Sequence, residues 1–441
     1  EFLGDTALTH GTIIVQSNFF ARLEYDSPMP EEGEGFYWDL SLSFAQSAVT
    51  DADSIVDASL AGFTLERDFS GQAMSGKLEL NYGFSDTDIL TVGLDVDHDM
   101  ENLITVTQVN TGSGAENEQD GYGDRDFTNL AVYTQGIYNI LEGLTVTAGA
   151  RFDHNTSIAC NADDWDCFGS QTTEVSPSGS GKGAGDETEG GAIQMSSRFA
   201  IVYNPADFDF YLKFAYGSSY KAPTPYQLYH ERVTKVGTIG QPNLTPQTAD
   251  TFEGMVGYDI IEGLEVTLGA YYPETKNLVT SFKGDTTGNV SRNADGKSMG
   301  LEFNLKYDHD DWLKVSANAS YLVMGDISPK QLSDETDFIW ENGSSKKFND
   351  TFPLGRFPAL SANLNAVVTL DEYYLRIGTN IHFVGERNAS MLNNMVFDPQ
   401  DLSKTYTLDP YVLFRLNITT TDIFLIDDDH ETVFGLMFVG G

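Results

Sequence analysis

Positive charge is scarce in this chain: 25 Lys and Arg stand against 66 Asp and Glu over 441 residues, a formal charge of −41. A nucleic-acid partner is excluded, because phosphate binding needs clustered Lys and Arg. Cysteine is scarcer still, and two residues make neither a disulfide scaffold nor a structural zinc site on their own. No stretch approaches the roughly 18–20 apolar residues of a membrane-spanning helix, which excludes a helical membrane protein. Nucleophile-elbow, P-loop and H-E-x-x-H motifs are all missing, and the chain does not read as an enzyme. There is no initiator Met and no cleavable signal at Glu1, so a mature form or a fragment is expected. What is present is apolar and aromatic substance, 40% and 12% of the residues, too much for a disordered acidic chain.

The dominant pattern is alternation with period two, in segments of about ten residues. Leu313, Val315, Ala317, Ala319, Tyr321 and Val323 share one face, and Lys314, Ser316, Asn318 and Ser320 the other. Leu144, Val146, Ala148, Ala150 and Phe152 likewise lie opposite Thr145, Thr147, Gly149, Arg151 and Asp153. Met299–Tyr307 and Leu375–Phe383 repeat the scheme. Successive strand side chains point to opposite faces, so each segment is a strand with one apolar and one polar side.

A soluble β-sandwich alternates in the same way, and the connections separate the two. Short turns at Ser85–Asp88, Leu141–Gly143, Pro205–Asp207, Ile261–Gly263, His309–Asp311, Asp371–Glu372 and Thr419–Asp422 alternate with long polar excursions near 108–125, 155–191, 219–246, 325–354 and 386–404. Tight turns at one end and long loops at the other are the rhythm of an outer-membrane barrel. Closure into a barrel is what frees a sheet in lipid from unpaired edges. Tyr138, Tyr203, Tyr258, Tyr307, Tyr373 and Tyr374 near strand ends fit an interfacial aromatic girdle. The fold class is therefore all-β, a transmembrane antiparallel β-barrel of about 18 strands in a single domain over 1–441. Counting strands backwards from the short turns places Glu1 at the short-turn side.

Five segments carry a family resemblance. Phe127–Ile140 followed by Leu144–His154 (LTVTAGARFDH) looks like paired strands ending in G-x-R-[YF]-D. Phe214–Tyr229 resembles an F-R-A-P strand end, with Lys221 where Arg is usual. Gln241–Glu253 (QPNLTPQTADTFE) resembles N-P-N-L-x-P-E-x-S-x-x-x-E, with Gln247 in the acidic place. Asn293–Tyr307 is similar to N-x-G-K-A-x-x-x-G-L-E, and Phe357–Glu386 ends in a V-G-x-R-like VGER. Together they resemble the barrel of TonB-dependent outer-membrane receptors over residues 71–438, while 1–70 fit by strand pattern only.

That resemblance implies uptake of a scarce bulky nutrient, such as a ferric siderophore, across the outer membrane of a Gram-negative bacterium. Loops would be extracellular and turns periplasmic, with membrane lipid and lipopolysaccharide around the barrel. It also implies a small-molecule or metal-chelate ligand and a TonB-type energising complex acting through a plug. No plug or TonB box is recognisable in the sequence, and the family barrel has about 22 strands. The expectation is that a plug and early strands are missing from the chain, the rival being a reduced, plugless barrel. The family usually finishes on an aromatic residue, whereas Phe438 is followed by Val439, Gly440 and Gly441. Two alternatives stand beside the receptor: a porin-like diffusion channel, and a structural or adhesion barrel.

The residues singled out for chemistry lie mostly in the long connections. Tyr220, Lys221, Tyr226, Tyr229, His230 and Arg232 concentrate cations and aromatics suited to gripping an anionic, aromatic ligand. The other reading is a loop packed on its neighbours. Cys160 and Cys167 fit a disulfide clamping a small extracellular loop, with a metal–thiolate pair as the weaker alternative. Acidic runs at Glu116–Asp126, Asp163–Asp166, Asp308–Asp311 and Asp427–Asp429 offer oxygen ligands to Ca²⁺ or are simply solvated. His382, on the same face as Arg376, reads as polar lining rather than a general base.

Overall fold

The computed structural model describes, in the main, residues 14–30, 33–51, 63–110, 127–156, 191–224, 244–284, 288–330, 357–388, 407–420 and 435–440, with short stretches between. Sixteen strands form one continuous antiparallel meander: β1 (Ile14–Asp26), β2 (Gly35–Asp51), β3 (Phe63–Gly83), β4 (Ile89–Asn110), β5 (Phe127–Leu141), β6 (Leu144–Asn155), β7 (Gly191–Tyr203), β8 (Phe210–Lys221), β9 (Gln247–Ile261), β10 (Leu264–Gly284), β11 (Gly288–His309), β12 (Leu313–Pro329), β13 (Leu360–Leu370), β14 (Leu375–Val384), β15 (Tyr411–Thr420) and β16 (Gly435–Gly440). Each pairs with the next along the chain. About 18 strands were expected, and the described residues carry sixteen of this kind. β1 enters from the end that holds the long connections; Glu1 itself lies outside the described residues, as does the turn expected at Thr419–Asp422 beyond Thr420.

The short turns from Ser85–Asp88 to Asp371–Glu372 sit where the sequence places them. Glu142–Gly143 and Glu262–Gly263 close their hairpins on glycines with φ of 75° and 80°. A Cβ there would stand 2.4 Å from the Asn204 carbonyl oxygen and 2.1 Å from that of Asp308, so both backbone shape and space require glycine. One connection departs from the expected rhythm. β10 and β11 run on as a hairpin of 21 and 22 residues, joined at the long-connection end across 285–287 only. A spanning strand needs about 9–11 residues, so the upper half of this hairpin projects past the apolar band.

Hydrophobic burial is inverted relative to a globular core. Among the described residues, prolines and glycines aside, only Ala131, Leu244, Ala294, Ile327 and Val384 are buried apolar residues, whereas forty-four large hydrophobic side chains are exposed. Those exposed alternate along the strands: Leu80, Val92, Leu94, Val132, Phe152, Met195, Leu212, Leu268, Leu301, Tyr321, Leu364 and Phe414 belong to one face of the sheet. An apolar face of this extent is stable only against an apolar medium. Aromatic rings gather at its short-turn border, with Tyr25–Trp38 and Tyr82–Phe84 both at 4.9 Å and Phe84–Tyr138 at 5.9 Å. Tyr203 and Phe210 continue the border, as do Tyr307, His309 and Trp312. No helix among the described residues is long and apolar enough to cross a membrane.

The polar face is braced by tyrosines laid across glycines of the neighbouring strand. A Cβ on Gly93 would fall 2.0 Å from the Tyr133 ring, on Gly257 2.1 Å from Tyr211, and on Gly300 2.2 Å from Tyr271. Tyr133 uses the gap to reach one strand further, its Oη donating to Glu79 Oε1 at 2.8 Å. Tyr211 does the same with Glu265 Oε1 at 3.2 Å and contacts Thr267 Oγ1 at 3.3 Å. A ring covering a glycine restores packing that the missing side chain would otherwise forfeit.

Candidate functional site

The cross-strand registers assemble the polar face into rows. One row reads Glu79, Gly93, Tyr133, Arg151, Ser196; the next reads Lys77, Asp95, Ala131, Asp153, Gln194. Five strands thus bring together charges up to 121 positions apart in sequence (77 to 198 once Arg198 is included). Arg151 is the hub. Its Nε donates to both oxygens of Asp153 at 3.0 Å, its Nη2 lies 2.8 Å from Asp153 Oδ1, and its Nη1 lies 2.9 Å from Asp95 Oδ2. Asp153 is only 2% exposed, and a carboxylate so buried is tolerable because a bidentate guanidinium and Asn129 Nδ2 (3.0 Å) neutralise and hydrogen-bond it. Lys77 pairs with Glu79 at 2.9 Å, and the Tyr133 ring lies between Lys77 and Arg151 at 6.0 and 5.7 Å from its centroid. A cavity of about 420 Å³ opens in front of this cluster, lined by Lys77, Glu79, Asp95, Tyr133, Arg151 and Arg198 among others.

A smaller cavity of about 200 Å³ lies on the next strands, where Lys213, Glu253, Met255, Tyr271 and Glu302 converge. The wall of β12–β15 has a different chemistry. Asn363 donates to Asn318 at 3.0 Å, and its Oδ1 accepts from His382 Nδ1 at 2.6 Å. Asn380 donates to Asn365 at 2.7 Å, and Asn365 to Ser316 at 3.3 Å. His382 is thereby part of an amide ladder, with the Tyr411 ring 6.5 Å away. Arg376 shares its face but sits six positions along β14, opposite Thr419.

At the long-connection end, Asn293 pins several segments. Only 2% exposed, it accepts from the Thr245 N–H at 3.0 Å and the Thr245 hydroxyl at 3.2 Å. It donates to the carbonyls of Thr245 at 3.1 Å and Asn277 at 2.7 Å. Lys330 Nζ closes the knot on Asn277 Oδ1 at 2.6 Å and Asp295 at 2.8 Å. This fixes the downstream root of the 222–246 connection, the segment singled out as a ligand loop, to β10, β11 and the end of β12.

Two of the six residues expected to grip a ligand are described. Tyr220 does not belong to a free loop: at the end of β8 it donates to Asn129 Oδ1 at 2.9 Å and so joins the Arg151–Asp153 cluster. Lys221 follows it, exposed and opposite Gln247. Tyr226, Tyr229, His230 and Arg232 lie outside the described residues, as does Cys160. Cys167 forms a two-residue strand with Phe168 against Gly191–Ala192. Of the acidic runs, Glu116–Tyr122 is a short strand beside β4, and Asp308 pairs with Lys314 at 3.3 Å. Lys77, Glu79, Asp95 and Arg198 were not singled out from the sequence. Their signal was weak, since each is an ordinary polar position in an alternating strand.

An antiparallel meander with an apolar outer face and a charged, hydrogen-bonded opposite face is the wall of a transmembrane β-barrel. Residues 4–423 match the profile of the TonB dependent receptor-like beta-barrel, and the chain belongs to that family of outer-membrane receptors. Among solved structures it is similar to the copper transporter OprC, at 13% identity and a TM-score of 0.64, over 92% of this chain and 57% of that one. The siderophore receptor PiuA from Acinetobacter baumannii matches at 12% identity and a TM-score of 0.60, over 93% and 59%. The ferric citrate transporter FecA in its unliganded form matches at 13% and 0.61, over 92% and 54%. At such identities the likeness is one of fold, and the chain spans little more than half the length of these structures. No curated protein matches it in sequence.

Proposed function

We propose that the chain forms the barrel of a receptor that imports a scarce, bulky nutrient such as a ferric siderophore across the outer membrane of a Gram-negative bacterium. The observation that carries this reading is the sixteen-strand wall itself, with its polar face bearing charges and cavities. Barrels of about eight strands fill with side chains, whereas those of about sixteen or more enclose a lumen wide enough for a large solute. In this reading the long connections face outwards and capture the ligand, and the short turns face the periplasm. A TonB-type complex supplies energy through a plug seated in the lumen, and lipid with lipopolysaccharide surrounds the apolar face. The names of the siderophore receptor and the ferric citrate transporter support an iron chelate as the nutrient class.

The test is uptake of radiolabelled iron from a panel of ferric siderophores by cells that lack their own receptors and express the native protein. Saturable uptake that stops when the proton-motive force is collapsed is the expected result. Unsaturable flux indifferent to energy would replace the reading with a diffusion channel. Failure to transport any chelate, together with a stoichiometric co-purifying protein, would replace it with a scaffold.

A further inference from the structure

A single-layer wall leaves a face of each strand open, but one level of β11 is closed on both. Asn293 and Ala294 follow one another along the strand and so point to opposite faces, yet they are only 2% and 0% exposed. Leu244, Ile327 and Pro329, also buried, lie within three positions of Thr245 or Lys330. This node forms where β10 breaks its pairing, in the half of the β10–β11 hairpin that projects past the apolar band. The register shifts between Thr275 and Leu278, and Asn277 takes a left-handed φ of 56°. A bulged residue leaves the ladder, so its N–H and C=O need other partners. The Asn277 N–H donates to Asp295 Oδ1 at 3.1 Å, and its carbonyl accepts from Asn293 Nδ2 at 2.7 Å. Its Oδ1 accepts from Lys330 Nζ at 2.6 Å. Asn293 turns its remaining capacity to the N–H, hydroxyl and carbonyl of Thr245. Only an amide carries the two donors and the paired acceptor sites that this arrangement uses.

We propose that Asn277, Asn293 and Lys330 form a clamp that fastens the chain entering at Thr245 to the projecting half of the hairpin, so that the three segments open as one unit. The Lys330 side chain bonds no group of Thr245; the path between them runs through Asn277 and Asn293. Every link in that path is a hydrogen bond already made within the chain, and two of the links meet at the almost wholly buried Asn293. Breaking one link there leaves buried polar groups unpaired, which makes partial opening costly and ties the links together. A displacement of the 222–246 connection is then passed to β10, β11 and β12 instead of being absorbed at its root. The clamp goes beyond the receptor reading, and it is tested without ligand or energy source, so the two can fail separately.

The experiment is residue-resolved amide hydrogen exchange on the native protein in detergent, comparing wild type with Lys330→Met, Asn293→Ala and the double variant. Opening as one unit predicts that Lys330→Met, remote from Thr245, speeds exchange of the Thr245 amide by roughly threefold to thirtyfold, the loss of a partly exposed ion pair and its hydrogen bond. Asn293→Ala should free the same amide further, and adding Lys330→Met to it should change nothing more at Thr245. Lys314→Met removes a comparable ion pair with Asp308 at the short-turn end and should leave Thr245 as in the wild type. Unchanged Thr245 exchange in Lys330→Met, additive effects in the double variant, or equal acceleration by Lys314→Met would overturn the proposal. Amides along β5 and β6 should keep wild-type protection in every variant; faster exchange there as well would mean general loosening and would also overturn it.

Discussion

The polar face has two halves that solve the same problem with different chemistry. On β3–β7 the wall is ionic: Lys77, Glu79, Asp95, Arg151 and Asp153 interlock around the Tyr133 ring, and one carboxylate is almost wholly buried. On β12–β15 its side-chain hydrogen bonds run mostly between amides, a head-to-tail run of Ser316, Asn365 and Asn380 beside Asn318, Asn363 and His382. The difference follows from what each group needs. A charge taken out of water requires an opposite charge in contact, so ionic residues collect in tight clusters. An amide is both donor and acceptor, so asparagines in register pair strand to strand and spread as a ladder. The ionic half is the one that lines the large cavity, and the amide half reads as lining.

Four changes would break or sharpen that contrast. The largest effect is expected for Arg151→Ala, which leaves Asp153 and Asp95 without their cation; removing one partner of a buried pair typically costs about 3–5 kcal/mol. Urea unfolding in lipid vesicles should show a loss of that size. Next comes Asn293→Ala, an amide as buried as Asp153, which orphans groups of Thr245 and Asn277. About 1–3 kcal/mol is expected, with faster amide exchange confined to 244–246 and 277. Asn363→Ala removes the same chemistry from a half-buried position and should cost only about 0.5–1.5 kcal/mol, showing that burial rather than amide character sets the scale. The smallest effect is that of salt. Raising it from 0.1 to about 1 M, where the Debye length falls to about 3 Å, should narrow the gap between wild type and Lys77→Met by a few tenths of a kcal/mol, and leave the cost of Asn363→Ala unchanged. A salt response equal in the two variants would mean that the ionic wall is not behaving as one.

Much of this fold is readable from alternation alone. The segment Leu144–Asp153 already separates Phe152 from Arg151 and Asp153, and the structure puts Phe152 among exposed apolar residues and the other two in the ionic cluster. His382 likewise falls on the polar face its alternation indicates. Register is what alternation does not carry. Residues 79, 133 and 151 share a row only because the turn after Gly83 and the irregularity at Asn139/Leu141 set how the strands slide past one another. Tyr220 reads as a loop residue in sequence, yet β8 extends to Lys221 and delivers its hydroxyl to Asn129. The length of the β10–β11 hairpin is hidden from alternation for a similar reason, since its irregular pairing between Thr275 and Leu278 interrupts the period.

The most direct test of the central claim, that one face meets lipid and the other an aqueous interior, is a nitroxide scan through residues 315–321 of β12 in lipid bilayers. Accessibility to oxygen, which concentrates in lipid, should peak at Val315, Ala317, Ala319 and Tyr321, and accessibility to a water-soluble relaxant at Ser316, Asn318 and Ser320. Two curves alternating out of phase are the predicted result. Curves in phase, or water access at every position, would contradict a membrane barrel and return the chain to a soluble sheet.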